Sequence, residues 1–189
     1  MIKNKLTNKK IIFLLILLVI VLAAISFLFY SKSPNSNKQE VILEHPLKNI
    51  VLANTNKVGI IDKEKVIQQG IIEFNEDYIN YLSLSLGIND LHNSNLGYGY
   101  PKIKLILEDE IWSIEIKENI LLTKKQDITD EDFLIKTTKK DIINILLSQN
   151  VKSSIENSLK SGDIKIEITA ERLELVSKGY LNIYNKIND

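Results

Sequence analysis

The sequence predicts an α+β domain, a largely antiparallel sheet covered by helices and preceded by one transmembrane helix. Three observations carry this. Residues 11–30 form an apolar run, residues 103–116 alternate apolar and polar side chains over two short stretches, and residues 142–147 carry a helical apolar stripe. Length and composition agree: 189 residues with 44% apolar content suit one domain, and the absence of cysteine excludes a disulfide scaffold or thiolate chemistry.

From Ile11 to Tyr30 only Ser26 and the Tyr30 hydroxyl are polar. At about 1.5 Å per residue this run is roughly 30 Å of helix, the thickness of a bilayer's hydrocarbon core. A cleaved signal peptide has a shorter apolar core and a small-residue site after it, whereas Phe-Leu-Phe-Tyr-Ser-Lys follows here, so the run reads as an uncleaved signal-anchor. Lys3, Lys5, Lys9 and Lys10 precede it. They assign residues 1–10 to the cytoplasm as a basic tail and the body to the far side of a single-pass cell-membrane anchor. Residues 31–40, polar and interrupted by Pro34, read as a linker to an extracytoplasmic domain over 41–189.

Within that domain, Asp62 caps a short helix to about Gln69 that Gly70 ends, and Asn75 caps a helix whose Tyr78, Leu82 and Leu86 share a face before Gly87 stops it. Turn formers fill 89–101. Ile103, Leu105 and Leu107, then Trp112, Ile114 and Ile116, form a hairpin interrupted at Glu108 and Asp109. Further strands run through Ile120 to Thr123 and Phe133 to Ile135. The short connections predict antiparallel pairing. Thr137 or Thr138 caps a helix with Ile142, Ile143, Leu146 and Leu147 on one side, a second helix spans 151–160, and Gly162 leads into a strand through Ile164, Ile166 and Ile168. Residues 171–177 fit either a strand or part of a long helix. A helix is expected over about 179–187.

The stretches PKIKLILEDEIWSIEIKENIL, DITDEDFLIKTTKKDIINILL and SLKSGDIKIEITAERLELVSKGYLNIY resemble the sterol carrier protein 2-like lipid-binding domain. That pattern runs apolar strand, acidic turn at Asp109, strand with Trp112, meander, strand at Asp132 to Lys136, capped helix at Ile142 to Leu147, second helix, strand at Gly162 to Ile168, and terminal helix. It covers about residues 101–189, the best-matching part. The chain has Glu110 and Ser148 where the family usually carries Gly, and Thr169-Ala170-Glu171 where a Gly-Asp pair is common. The resemblance implies an apolar tunnel between sheet and helices that binds a lipid or other apolar small molecule without catalysis. Its candidate walls are Leu105, Leu107, Trp112, Ile114, Phe133, Ile135, Ile143, Leu146, Leu147 and Ile166. The alternative for the same side chains is a solid core, in a structural or interaction module with a cell-envelope protein partner.

Other chemistries find little footing. Removing the four lysines of residues 1–10 from 24 basic and 24 acidic groups leaves 20 − 24 = −4 for the rest, which disfavours a nucleic-acid groove. His45 and His92 stand apart with no ligand spacing. Neither G-x-S-x-G nor a phosphate-binding glycine loop occurs, so no catalytic residue, cofactor or metal is expected and the chain does not read as an enzyme. Asp127, Asp130, Glu131 and Asp132 lack the Gly and distal Glu of a calcium loop and read as a solvated turn.

Overall fold

The computed structural model describes residues 43–183. The basic tail 1–10, the expected transmembrane helix 11–30 and the linker 31–40 lie outside these residues, as does the end of the helix expected over 179–187. Among the described residues no helix is long and apolar enough to cross a membrane. Residues 43 onward belong to one compact unit.

Three helices open it: α1 (Lys48–Ala53), α2 (Lys63–Ile72) and α3 (Glu76–Ser85). The Asp62 carboxylate accepts from the Lys65 amide, and Asn75 Oδ1 from the Asp77 amide, so both predicted caps form. Gly70 corrects the first reading. It sits inside α2 rather than ending it, because a Cβ there would lie 3.1 Å from Ile143 Cδ1 and 3.2 Å from Leu47 Cδ2. The glycine admits close packing, at the usual helical cost of about 1 kcal/mol. Gly87 ends α3 as expected, with a left-handed φ of 73°.

The sheet holds β1 (Lys102–Leu107), β2 (Glu110–Lys117), β3 (Ile120–Lys124), β4 (Phe133–Thr137) and β5 (Lys165–Ile168), in the order β3-β2-β1-β4-β5. Between β4 and β5 come α4 (Lys139–Leu146) and α5 (Val151–Ser161), and α6 (Arg172–Ser177) follows β5. Residues 171–177, which fitted either state, are therefore largely helical, and a further helical turn covers 180–183. This is the order of elements that the resemblance implies.

One pairing departs from expectation: β4 runs parallel to β1, with Ile103 opposite Phe133 and Leu105 opposite Ile135. The other three pairings are antiparallel. A parallel crossover here needs no helix. The chain must pass three strand spacings and one strand length, about 22 Å on the diagonal, and residues 125–132 reach about 26 Å when extended. Lys102 and Lys104, on the face of β1 opposite Ile103 and Leu105, hold this segment. Lys104 Nζ lies 2.6 Å from Asp127 Oδ1 and donates to the Ile128 carbonyl at 3.0 Å, while Lys102 pairs with Asp130. The acidic run is thus a lysine-bound strap across the outer face of the sheet, not a free turn. Helices take the inner face.

Candidate functional site

The inner face of the sheet is largely apolar, interrupted by Thr123 of β3, whose hydroxyl donates to Asn80 Oδ1 of α3, and inward positions alternate in register: Leu105 faces Trp112, Ile103 faces Ile114, and Phe133 and Ile135 face Ile168 and Ile166. Its cover is uneven. Over β1 and β2, Leu105, Leu107, Trp112 and Ile114 are buried in one cluster with Ile143 and Leu146 of α4 and with Leu47, Val66, Tyr78 and Ile79 from the N-terminal helices and their approach. Thr138 makes this fit possible. Its hydroxyl accepts from the Asp141 amide at 3.0 Å and donates to Asp141 Oδ2, starting α4 directly after β4 so that its stripe turns onto the sheet.

Toward β5 the cover fails. Phe133, Ile135 and Leu147 are half-buried against the core, and Ile166 and Ile168 are 48% and 62% exposed although both point to the inner face. Of the ten side chains proposed as tunnel walls, six therefore lie in the closed core, three at its margin, and Ile166 at the open edge. Ile168, which completes the open strip, was read as a strand residue but not as a wall; its alternation with Ile166 was the available signal.

Two polar nodes hold the ends of this layer. Asp132, read from the sequence as part of a solvated acidic turn, is 1% exposed. Its Oδ2 accepts from the Lys102 amide and from the Tyr180 hydroxyl, each at 2.9 Å, and its Oδ1 from Lys178 Nζ at 2.6 Å. Lys178 also donates to Glu174 Oε1 at 2.7 Å, and the Asp132 carbonyl accepts from the Thr169 and Ala170 amides. The start of β1 and the last helical segments thus meet on the Asp132 carboxylate, and the end of β5 on its carbonyl. Burial, and then the adjacent Asp132 charge, push the Tyr180 hydroxyl well above the usual phenol range. The Tyr180 ring packs on Phe133 with centroids 4.7 Å apart, joining this node to the apolar strip.

The second node is Glu110. Lys125 Nζ at 2.8 Å and Lys139 Nζ at 2.9 Å flank its carboxylate, and Trp112 Nε1 donates to it at 3.2 Å. The two lysine contacts, foremost that of Lys125, lower its pKa to about 2. Where the resembling family usually has Gly, this side chain ties the hairpin to the ends of β3 and α4. The left-handed residue of the turn is Glu108, at φ 48°.

Both histidines make main-chain contacts. His45 Nδ1 accepts from the Leu47 amide and Nε2 donates to the Leu146 carbonyl, which clips the N-terminal segment to α4. His92 contacts the Asn93 carbonyl. Tyr100 lies beneath Lys117, whose Nζ is 5.4 Å from the ring centroid. Among the described residues, no group of three or more His, Cys, Asp or Glu side chains is arranged to hold a metal ion.

No protein-family model matches the chain, and no curated protein does. Among solved structures, it is similar to a double mutant of the sec-alkyl sulfatase PisA1 at 13% identity and a TM-score of 0.31, over 47% of this chain and 12% of that one. It is also similar to the ubiquinone synthesis protein UbiJ-SCP2 at 6% identity and a TM-score of 0.32, over 46% of this chain and 70% of that one. The chain thus spans about an eighth of the sulfatase's length.

Proposed function

We propose that this chain is a membrane-anchored, extracytoplasmic, non-catalytic binding domain in which the open strip Phe133, Ile135, Ile166 and Ile168 receives a lipid or other apolar molecule. The observation that carries the proposal is the contrast along one sheet face, closed over β1 and β2 and open at β5. The order of elements, shared with the sterol carrier protein 2-like pattern, supports the same reading, and the run at 11–30 supports a tether to the bilayer. No cofactor or metal enters into it.

Magnitudes limit what the strip does alone. Full burial of an isoleucine side chain gives about 1.5–3 kcal/mol, so covering the exposed parts of Ile166 and Ile168 gives roughly 2–3 kcal/mol in total. Micromolar binding needs about 8 kcal/mol. A tightly held ligand must therefore also part the half-buried margin at Phe133, Ile135 and Leu147. To test this, residues 43–189, the compact unit, are purified and examined by native mass spectrometry for bound lipid, with Trp112 fluorescence followed as fatty acids are added. An apo mass and an unchanged spectrum count against the proposal. The topology is tested separately by adding protease to intact cells, which trims the body if it lies outside.

A second reading has its own support, since six of the ten wall candidates are packed in one closed cluster. On that reading the interior is filled and the domain serves as an interaction module of a cell-envelope complex. Lipid occupancy then stays at zero while a protein partner is retained from solubilised membranes.

A further inference from the structure

We infer that the free edge of β5 pairs antiparallel with β5 of a second copy of this chain, about a two-fold axis at Ile166. β5 is the last strand of the sheet, and all four of its residues are exposed. The Thr169 amide donates to the Asp132 carbonyl one position beyond the Phe133–Ile168 end of the β4–β5 ladder, which makes Phe133–Ile168 a non-hydrogen-bonded pair. Alternation along an antiparallel pair then points the amides and carbonyls of Lys165 and Glu167 toward β4, and those of Ile166 and Ile168 toward the open edge. The Ile164 amide is already used by the Ser158 carbonyl, leaving its own carbonyl for the edge.

These directions select one register. With Ile166 opposite its own copy, the two Ile166 residues exchange two main-chain bonds, and each Ile168 amide meets the partner's Ile164 carbonyl, giving four bonds. A register centred on Glu167 makes none of these and opposes two like charges. The side chains agree with the Ile166 centre. Lys165 lies directly opposite Lys136 in the β4–β5 ladder, an unfavourable pairing, and has no acidic partner among the described residues. In the proposed register, each Lys165 faces Glu167 of the other copy in the closely spaced, non-hydrogen-bonded position. Glu167 is free to shift toward it, being 65% exposed and held by a long contact, 3.8 Å, to Lys136, its one ion-pair partner among the described residues. On the inner face, Ile166 and Ile168 form an apolar row with their copies, while Ile164 is buried against Ile145 and Ile155. Four main-chain bonds and two exposed ion pairs make a small contact, so the association is weak and reversible.

A covalent trap detects such an association, and the sequence has no cysteine to interfere. The full 189-residue chain is made as Lys165→Cys and, separately, as Glu167→Cys, in detergent micelles, and oxidised mildly either alone or mixed. In the proposed register the two positions lie about 4.5 Å apart across the dyad, within disulfide reach, whereas each position is roughly 8 Å from its own copy, beyond it. The expected result is a covalent dimer in the mixture, at least about tenfold above either variant alone. No dimer in the mixture, or equal yields in all three samples, overturns the inference. A charge exchange reads the same register without cysteine: Lys165→Glu alone lowers the dimer fraction in sedimentation velocity, and Lys165→Glu with Glu167→Lys restores it. Equal dimer fractions in the single and double variants contradict it.

Discussion

The Asp132 carboxylate and the Lys178 ammonium lie 2.6 Å apart, and the two side chains are 1% and 2% exposed. Removing two charges from water is costly. The pair is tolerable because Lys102, Tyr180 and Glu174 complete its hydrogen bonds. Asp132→Ala is therefore expected to lose about 3–5 kcal/mol, since it removes one of the two carboxylates that pair with the buried Lys178 ammonium and leaves the Lys102 amide and Tyr180 hydroxyl without their acceptor. Asp132→Asn with Lys178→Met, which removes both charges, costs much less than the single change. Urea unfolding of the three proteins checks the order, and equal losses in the single and double variants refute the account of this node.

Glu110 couples the stability of the domain to acid pH. Its folded pKa of about 2 lies below the usual carboxylate value of 4.5, so its contribution is fully present above about pH 4.5 and is lost as the pH falls toward 2. Glu110→Gln should be less stable than the parent by about 1–3 kcal/mol at pH 6, the worth of hydrogen bonds to a charged group. The gap should close between pH 4.5 and 2. Denaturant unfolding across that range checks it, and a gap constant with pH contradicts the assignment.

Substituting Ala for Gly70 should reverse the usual helix rule. Alanine normally gains about 1 kcal/mol over glycine in a helix, but here its methyl presses on Ile143 and Leu47, both fully buried. Overpacking costs about 1–3 kcal/mol, so a net loss near 1 kcal/mol is expected. A rise in the thermal midpoint shows instead that the neighbours yield freely.

The β2–β3 turn is suboptimal in the other direction. Glu118 and Asn119 both have positive φ, 52° and 66°, in the two-residue loop between Lys117 and Ile120. Such loops favour Asn-Gly. Glu118→Asn with Asn119→Gly should stabilise the domain by about 0.5–1 kcal/mol, read by thermal unfolding.

What was legible in the sequence follows from how local each cause is. The hairpin, α3, α4 and α5 were readable because their apolar periods and the caps Asn75 and Thr138 lie within a few residues of the structure they fix. The parallel match of β4 to β1 was not, because it depends on where residues 125–132 land, and lysines from a distant strand hold them. Asp132 and Asp130 stand two residues apart in one acidic run, yet one is buried and the other exposed. Sequence spacing carries no trace of that difference, since Lys178 and Tyr180 come from the far end of the chain. At the candidate site, the apolar identity of the strip was legible, but the failure of its helical cover was not.

The central claim, that the open end of the inner sheet face receives an apolar ligand, is tested most directly by methyl NMR of residues 43–189 with a spin-labelled fatty acid. The account predicts selective broadening of the Ile135, Ile166 and Ile168 methyls, with Ile116, fully buried in the closed half, unaffected. No broadening at saturating fatty acid, or broadening of exposed methyls remote from β5 such as Val58 to the same degree, contradicts it.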